Sequence, residues 1–383
     1  MGRRRPFLIP GAIISALAFI MIFTTPPFEQ QIFAACYIFF ALLVYTIGYT
    51  LFNVPYMSMP AEMTDSYHER SSIHAYRVVF VTSGSFLAGA VAPWLLESMG
   101  RTEWRSYAII GISGGIIILS AMLVAFVGTA GARFTKSTMA IPNIRAEFAA
   151  LISNRYFVRL IAVKACQLLG VSASGSAMVF FIVNALQLDL KVMSYYFATL
   201  TCASMLSAPL IVKVSKTIGK RAAYIAIGLC YVSYAVSWSF AQPDEPLMNI
   251  LFRGMMTGIA MSGNILLAMS MLTDTIDFDA RRSGVRREGV YTAIYSLTEK
   301  ATFAFGPLVV GGAMSSAGFD RNLPQEQLQS PAVRDALLLG VSYLPAVMGS
   351  VAILLLAGYR LDEKTLLATT SKTQSDETAA QDA

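Results

Sequence analysis

The chain has 383 residues, of which 55% are hydrophobic and only 14% charged, with a formal net charge of +6 and a mean hydropathy of +0.58. A water-soluble domain carries about a quarter charged residues, so most of this surface faces something other than water. There is no soluble basic domain to bind nucleic acid, and the positive balance reads as a membrane-topology signal.

About 20 apolar residues suffice for a helix to cross a bilayer, and the apolar runs predict ten spans. They fall at about 6–25, 31–59, 75–97, 107–128, 157–186, 192–212, 222–241, 247–273, 290–316 and 335–358. Arg3, Arg4 and Arg5 precede the first run, which is long and has no small-residue cleavage site before Thr24-Thr25-Pro26-Pro27. This start reads as a cytoplasmic loop remnant entering a span, not as a signal peptide. A polar connection over 129–156 holds an amphipathic stretch at Ile144–Leu151, and the Thr/Ser/Gln/Asp-rich tail over 361–383 is expected to be disordered and cytoplasmic. The expected organisation is therefore a helix bundle over 1–128, the middle loop, a second bundle of six helices over 157–360, and the tail.

Basic residues test this layout. With alternate loops assigned to the cytoplasm, 21 Lys and Arg fall on that side and 5 on the other, while Lys164, Arg253 and Lys300 lie inside spans. Cationic residues favour the cytoplasmic side of short loops, and one missed span would invert every later loop. The expectation is a multi-pass protein of a bacterial inner membrane, with both ends cytoplasmic. Cys36, Cys166, Cys202 and Cys230 sit in apolar runs without CxxC spacing and read as small core hydrophobes; His68 and His74 form no ligand cluster. No metal site or cofactor is expected.

Thr64-Asp65 and Thr273-Asp274 recur at corresponding span ends, as in transporters built from parallel halves. The stretch Asn53-Val54-Pro55-Tyr56-Met57-Ser58-Met59-Pro60-Ala61-Glu62-Met63-Thr64-Asp65, with Glu69-Arg70 and Arg77, resembles the end of the fourth helix in the glycoside–pentoside–hexuronide:cation symporter family. Asp274-Thr275-Ile276-Asp277-Phe278-Asp279, with Gly284-Val285-Arg286-Arg287-Glu288-Gly289-Val290-Tyr291 and Lys300, resembles the junction of its tenth and eleventh helices. The resemblance, of melibiose-permease-like type, implies an all-α integral membrane protein of the major facilitator superfamily with a transmembrane helical bundle. It implies twelve helices. The Gly2-Arg3-Arg4-Arg5-Pro6 run is similar to the loop between the second and third of these, so the expectation is ten helices with the first two lacking. The three intramembrane cations face one mid-span acid, Glu299, which is a poor partner for the adjacent Lys300. An unpaired cation at bilayer depth costs about 2.5–3.5 kcal/mol, which acids on absent helices would offset.

Lys300 lies about 15 Å into its span at 1.5 Å per residue, too deep to reach water easily, and intramembrane ionisable residues are functional candidates by default. The resemblance places it beside the cation and substrate sites. Ser296 lies one turn away. Thr50 and Asn53 match the family's fourth helix, although sugar-transporting relatives often have aspartate at the position of Asn53 and tryptophan at that of Met57. Arg77 matches a cavity-lining arginine, and Tyr56 and Tyr295 are candidates for the same cavity. Lys164 and Arg253, near span ends, read as structural residues that snorkel toward water. Asp65, Glu69, Arg70, Asp274, Asp277, Arg281, Arg286, Arg287 and Glu288 are expected to form a cytoplasmic gate whose charges latch two halves during alternating access.

The resulting expectation is sodium- or proton-coupled symport of a sugar or glycoside by a monomer in the lipid bilayer, with no enzymatic activity. Two alternatives stay open: a transporter of lysolipids or other amphiphilic solutes, given Asn53 and Met57, and an inactive, N-terminally truncated fragment.

Overall fold

The computed structural model describes residues 5–26, 28, 30–63, 80–81, 83–100, 103–130, 144–283, 287–320, 329–359 and 361. These residues are almost entirely helical, and the chain divides into two compact units, Met1–Ala140 and Ile141–Ala383.

In the first unit, α1 (Leu8–Phe23) packs against α2 (Gln31–Met63) and α4 (Trp104–Gly128). Between the latter two, α3 (Ala92–Met99) follows a π-helical turn at Leu87–Val91. Small residues bring α1 and α2 together: a Cβ on Gly48 would lie 2.7 Å from the Ser15 backbone nitrogen. Without a hydrophobic drive between helices in lipid, such close backbone approach is a main source of association. Arg5 ties the start of α1 to the end of α4. Its Nη2 donates to the Phe126 carbonyl at 2.9 Å, and its guanidinium lies 4.4 Å from that ring's centroid.

The second unit opens with α5 (Ile144–Ser153), the amphipathic stretch of the middle connection. It continues with α6 (Arg155–Phe180), α7 (Leu190–Ile218), α8 (Lys220–Ser237), α9 (Leu247–Ser283) and α10 (Glu288–Ser316). It ends with α11 (Pro331–Leu338) and α12 (Leu344–Ala357). Its core pairs α6 with α10 and α12, α7 with α9, and α8 with α9 and α12. Asn154 caps α6: its side chain accepts from the Tyr156 and Phe157 amides at 3.1 and 3.3 Å. The same side chain donates to the Tyr291 hydroxyl at 2.9 Å, fixing the start of α6 to α10.

Eight helices among the described residues are long and apolar enough to cross a membrane. Of the other two expected spans, 75–97 is only partly described, and 290–316 corresponds to α10, whose Glu299 and Lys300 lower its hydropathy. Large side chains left exposed, among them Phe39 (69%), Val124 (70%) and Leu206 (78%), suit lipid contact, whereas a soluble surface rarely gathers so many. Cys36 and Cys202 lie on such exposed faces, which corrects the expectation that all four thiols are core residues.

Several boundaries differ from those expected. The helix α2 continues past residue 59, through Pro60 to Met63, and α9 runs ten residues beyond 273. Prolines are tolerated in membrane helices because local adjustments re-satisfy the freed backbone groups. The π turns Leu87–Val91 and Leu339–Tyr343 precede Pro93 and Pro345 and contain the carbonyls, four residues back, that each proline ring would strike.

Candidate functional site

In the first unit, Thr50, Asn53 and Tyr56 recur every three residues on α2 and so share one side of it. Tyr56 is half-buried, its ring stacked on Phe52 at 5.5 Å, and Asn53 is half-buried beside it. Thr50 is exposed and lines an open groove of about 480 Å³ with Phe7, Thr46, Ile47, Leu51 and Val54. The walls of this groove are almost wholly apolar. Met57 belongs to α2, but its side chain lies outside the described residues, as do Asp65, Glu69, Arg70 and Arg77.

In the second unit, α10 divides the remaining candidates between two environments. Tyr295 points inward and is 5% exposed, whereas Ser296, Glu299 and Lys300 are exposed. Lys300 lies twelve residues into α10, about 18 Å along its axis. Its ammonium makes no hydrogen bond or ion pair among the described residues.

Tyr295 meets a group that sequence reasoning set aside. The Lys164 ammonium lies 5.1 Å from its ring centroid, and Lys164 is only 7% exposed. It does not snorkel; it is enclosed where α6 packs on α10. One turn further along α6, Gln167 donates to Asn264 of α9 at 3.2 Å and accepts from the Tyr224 hydroxyl of α8 at 2.6 Å. Lys164, Gln167, Tyr224, Asn264 and Tyr295 thus bring four helices to one buried polar cluster. The three-residue spacing of Lys164 and Gln167 within an apolar run was the available signal. Reading the lysine as a snorkelling residue concealed it.

Arg253 is enclosed as well. It is 8% exposed, pairs with Glu245, and donates to the Ser237 hydroxyl and carbonyl at 3.1 and 3.0 Å. Its guanidinium lies 4.6 Å from the Trp238 ring centroid. This is a structural clamp on the end of α8, made by pairing instead of by reaching water.

Two described members of the expected gate, Asp274 and Arg287, find partners within the second unit. Asp274 binds Lys220 of α8, with Nζ–Oδ2 at 2.6 Å and Nζ–Oδ1 at 2.8 Å. Arg287 binds Asp279, which sequence reasoning did not single out as a gate residue, at 3.1 Å, and Ser283 at 2.8 Å. Asp277 is half-buried and Arg281 exposed on the same helix, while Arg286 and the Glu288 side chain lie outside the described residues. Next to this group the Tyr359 hydroxyl meets Thr275 Oγ1 at 3.0 Å. Burial holds the Tyr359 phenol above its ordinary pKa, and the Thr275 hydrogen bond opposes that shift in part.

Long apolar helices with lipid-type surfaces, and intramembrane ions turned both inward and outward, define a multi-pass membrane protein of transporter type. The model of the MFS/sugar transport protein family matches residues 1–363, and the chain belongs to that family. It is a membrane transporter, not an enzyme. The chain is similar to the isoprimeverose transporter of Lactiplantibacillus pentosus, at 23% identity over 100% of this chain and 79% of that one. It is equally similar to the inner membrane symporter YicJ of Escherichia coli (strain K12), at 23% identity over 90% of this chain and 74% of the other. Among solved structures it shares the fold of a bacterial homologue of the human lysosomal transporter Spinster. That match has a TM-score of 0.63 at 14% identity, covering 97% of this chain and 84% of that one. The fold is therefore all-α, of the major facilitator type.

Proposed function

We infer that the chain is a cation-coupled symporter of a sugar or glycoside, working by alternating access in a bacterial inner membrane with both ends cytoplasmic. The observation that carries this reading is the family match over residues 1–363, joined by relatives named as an isoprimeverose transporter and an inner membrane symporter. The charge bias of 21 to 5 across the loops supports the orientation.

In this reading Lys300 is the coupling residue. An ammonium deep along a membrane helix, with no described partner, is available to an acidic group and can be displaced from it by an arriving Na+ or H+. Thr50, Asn53, Tyr56, Met57, Arg77, Tyr295 and Ser296 contribute to solute binding. The charges at Asp65, Glu69, Arg70, Asp274, Asp277, Arg281, Arg286, Arg287 and Glu288 act as the cytoplasmic gate. A second reading, an amphiphilic solute such as a lysolipid, draws on the apolar walls of the groove at Thr50.

Uptake into vesicles carrying the reconstituted protein tests the proposal. An inward Na+ or H+ gradient should drive accumulation of a labelled sugar, and Lys300→Met should abolish it. Accumulation that ignores both gradients, or uptake of lysolipid but of no sugar, would overturn it.

A further inference from the structure

The second unit carries a pocket of about 180 Å³ at the end of α6 far from Asn154. Asn184 and Ala185 line it from the π turn Phe181–Ala185 that follows α6, Pro243 from the α8–α9 connection, and Pro331 and Arg334 from the start of α11. Helix length fixes its depth. Arg155–Ala185 is 31 residues long, about 46 Å at 1.5 Å per residue. The run Pro331–Ala357, which starts at the pocket, is 27 residues long, about 40 Å on the same rise. A bilayer is about 30 Å of hydrocarbon, and about 40–45 Å with its headgroups. The pocket therefore stands at headgroup level in the leaflet opposite Asn154.

Arg334 is the one charged residue among the described lining residues. Its Nη2 donates to the Ala241 carbonyl at 3.1 Å, which holds the guanidinium against the α8–α9 connection. That is its one hydrogen bond among the described residues, and its Nε is buried with no partner. A guanidinium has five N–H donors in a planar fork, so most of them lack an acceptor. The described ion pairs, Lys220–Asp274, Arg253–Glu245 and Arg287–Asp279, do not include it. Arg334 follows the Ser330 cap and Pro331 at the opening of α11, so the positive end of the helix dipole adds to its charge instead of offsetting it. The fork fits the oxygens of phosphate and carboxylate alike. Depth decides between them, because headgroup phosphates are the anions that a membrane places at this level. The volume corresponds to roughly six waters at about 30 Å³ each, which suits a phosphate with part of its glycerol. The acyl chains would lie outside, along the exposed rings of Phe180 and Phe240.

We propose that this pocket is a phosphate site for the headgroup of a membrane phospholipid, with Arg334 as the residue that binds the phosphate. Free phosphate shares that chemistry, but it is not held at that depth by chains of its own. A bound headgroup supplies the acceptors that Arg334 lacks. It also ties together the end of α6, the α8–α9 connection and the start of α11. The site stands apart from solute binding and goes beyond the transport reading.

The test titrates the full chain, purified in a neutral maltoside detergent and stripped of lipid, with three probes. These are dioleoylphosphatidylglycerol, dioleoylglycerol, which lacks the phosphate, and inorganic phosphate. Native mass spectrometry gives the Kd of the first bound lipid, and the unfolding midpoint reads stabilisation by each probe. Phosphatidylglycerol should bind about tenfold tighter than dioleoylglycerol, as one charge-assisted contact predicts. Arg334→Met should remove that advantage and leave dioleoylglycerol unchanged, while Arg334→Lys, which keeps the charge but not the fork, should fall between. Pro243→Trp fills the pocket from an exposed position in the connection and leaves the guanidinium in place. It should also remove the advantage, which provides a reading even where Arg334→Met does not fold. Equal binding of the two lipids by the unaltered protein, or a phosphatidylglycerol Kd unmoved by Pro243→Trp, overturns the site. Inorganic phosphate that stabilises the unaltered protein as fully as the lipid does, and does nothing for Arg334→Met, overturns the lipid assignment in favour of free phosphate.

Discussion

Glu245→Leu isolates the energetic consequence of a buried ion pair in the second unit. The Arg253 and Glu245 side chains are 9% and 8% exposed, so neither charge can be solvated in place of its partner. Removing the carboxylate leaves a guanidinium that keeps its two hydrogen bonds to Ser237 and its stacking on Trp238, but has no counter-charge. Breaking a buried pair from one side costs about 3–5 kcal/mol. The retained Ser237 bonds place this case toward the lower figure. For a folding unit of about 150–250 residues each kcal/mol moves the midpoint by about 2–4 °C, so the midpoint should fall by roughly 10 °C. The double variant Glu245→Leu/Arg253→Leu removes both charges, and apolar replacements of buried pairs are often neutral or better. It should recover most of the loss. Thermal unfolding in detergent, followed by the fluorescence of the fully buried Trp238, reads both variants. A single variant within about 1 °C of the unaltered protein, or a double variant as unstable as the single, would refute the argument.

Other substitutions separate structural from functional groups. Asp274→Asn breaks the Lys220 pair, but the Lys220 and Asp274 side chains are 42% and 23% exposed; the cost should stay below about 1 kcal/mol, seen as a nearly unchanged unfolding midpoint. Gly306→Leu should prevent folding of the second unit, because even a Cβ there would lie 2.5 Å from the Ala173 backbone nitrogen; loss of monodisperse protein on gel filtration is the readout. Asn154→Ala removes the cap of α6 and its bond to Tyr291, and should cost about 1–2 kcal/mol in chemical unfolding. Lys300→Met, on an exposed face, should leave the unfolding midpoint in place while removing gradient-driven accumulation.

Span placement was legible because apolar runs and alternating loop charge are one-dimensional signals: the runs beginning near 31, 107, 157 and 247 all fall on long helices. Helix ends were not, since Pro60 looks like a terminator and is absorbed inside α2, while Asp274, Asp277 and Asp279 look like a loop and prolong α9. Depth along a helix could be read for Lys300, but the direction of a side chain depends on which helix covers it. That is why Lys164 looked like a residue reaching for water and is instead enclosed by α10. Charge type at Asp274 and Arg287 was equally plain, yet their described partners, Lys220 and Asp279, depend on tertiary packing that spacing does not encode.

Coupling itself can be tested in the reverse direction. If sugar and cation move together, a sugar gradient imposed across sealed vesicles, with no ion gradient, must carry Na+ or H+ inward with the sugar. An ion-selective electrode or a pH-sensitive dye in the external medium should record sugar-dependent cation uptake, and Lys300→Met should abolish it. Sugar entry that leaves both Na+ and H+ unmoved would contradict the account.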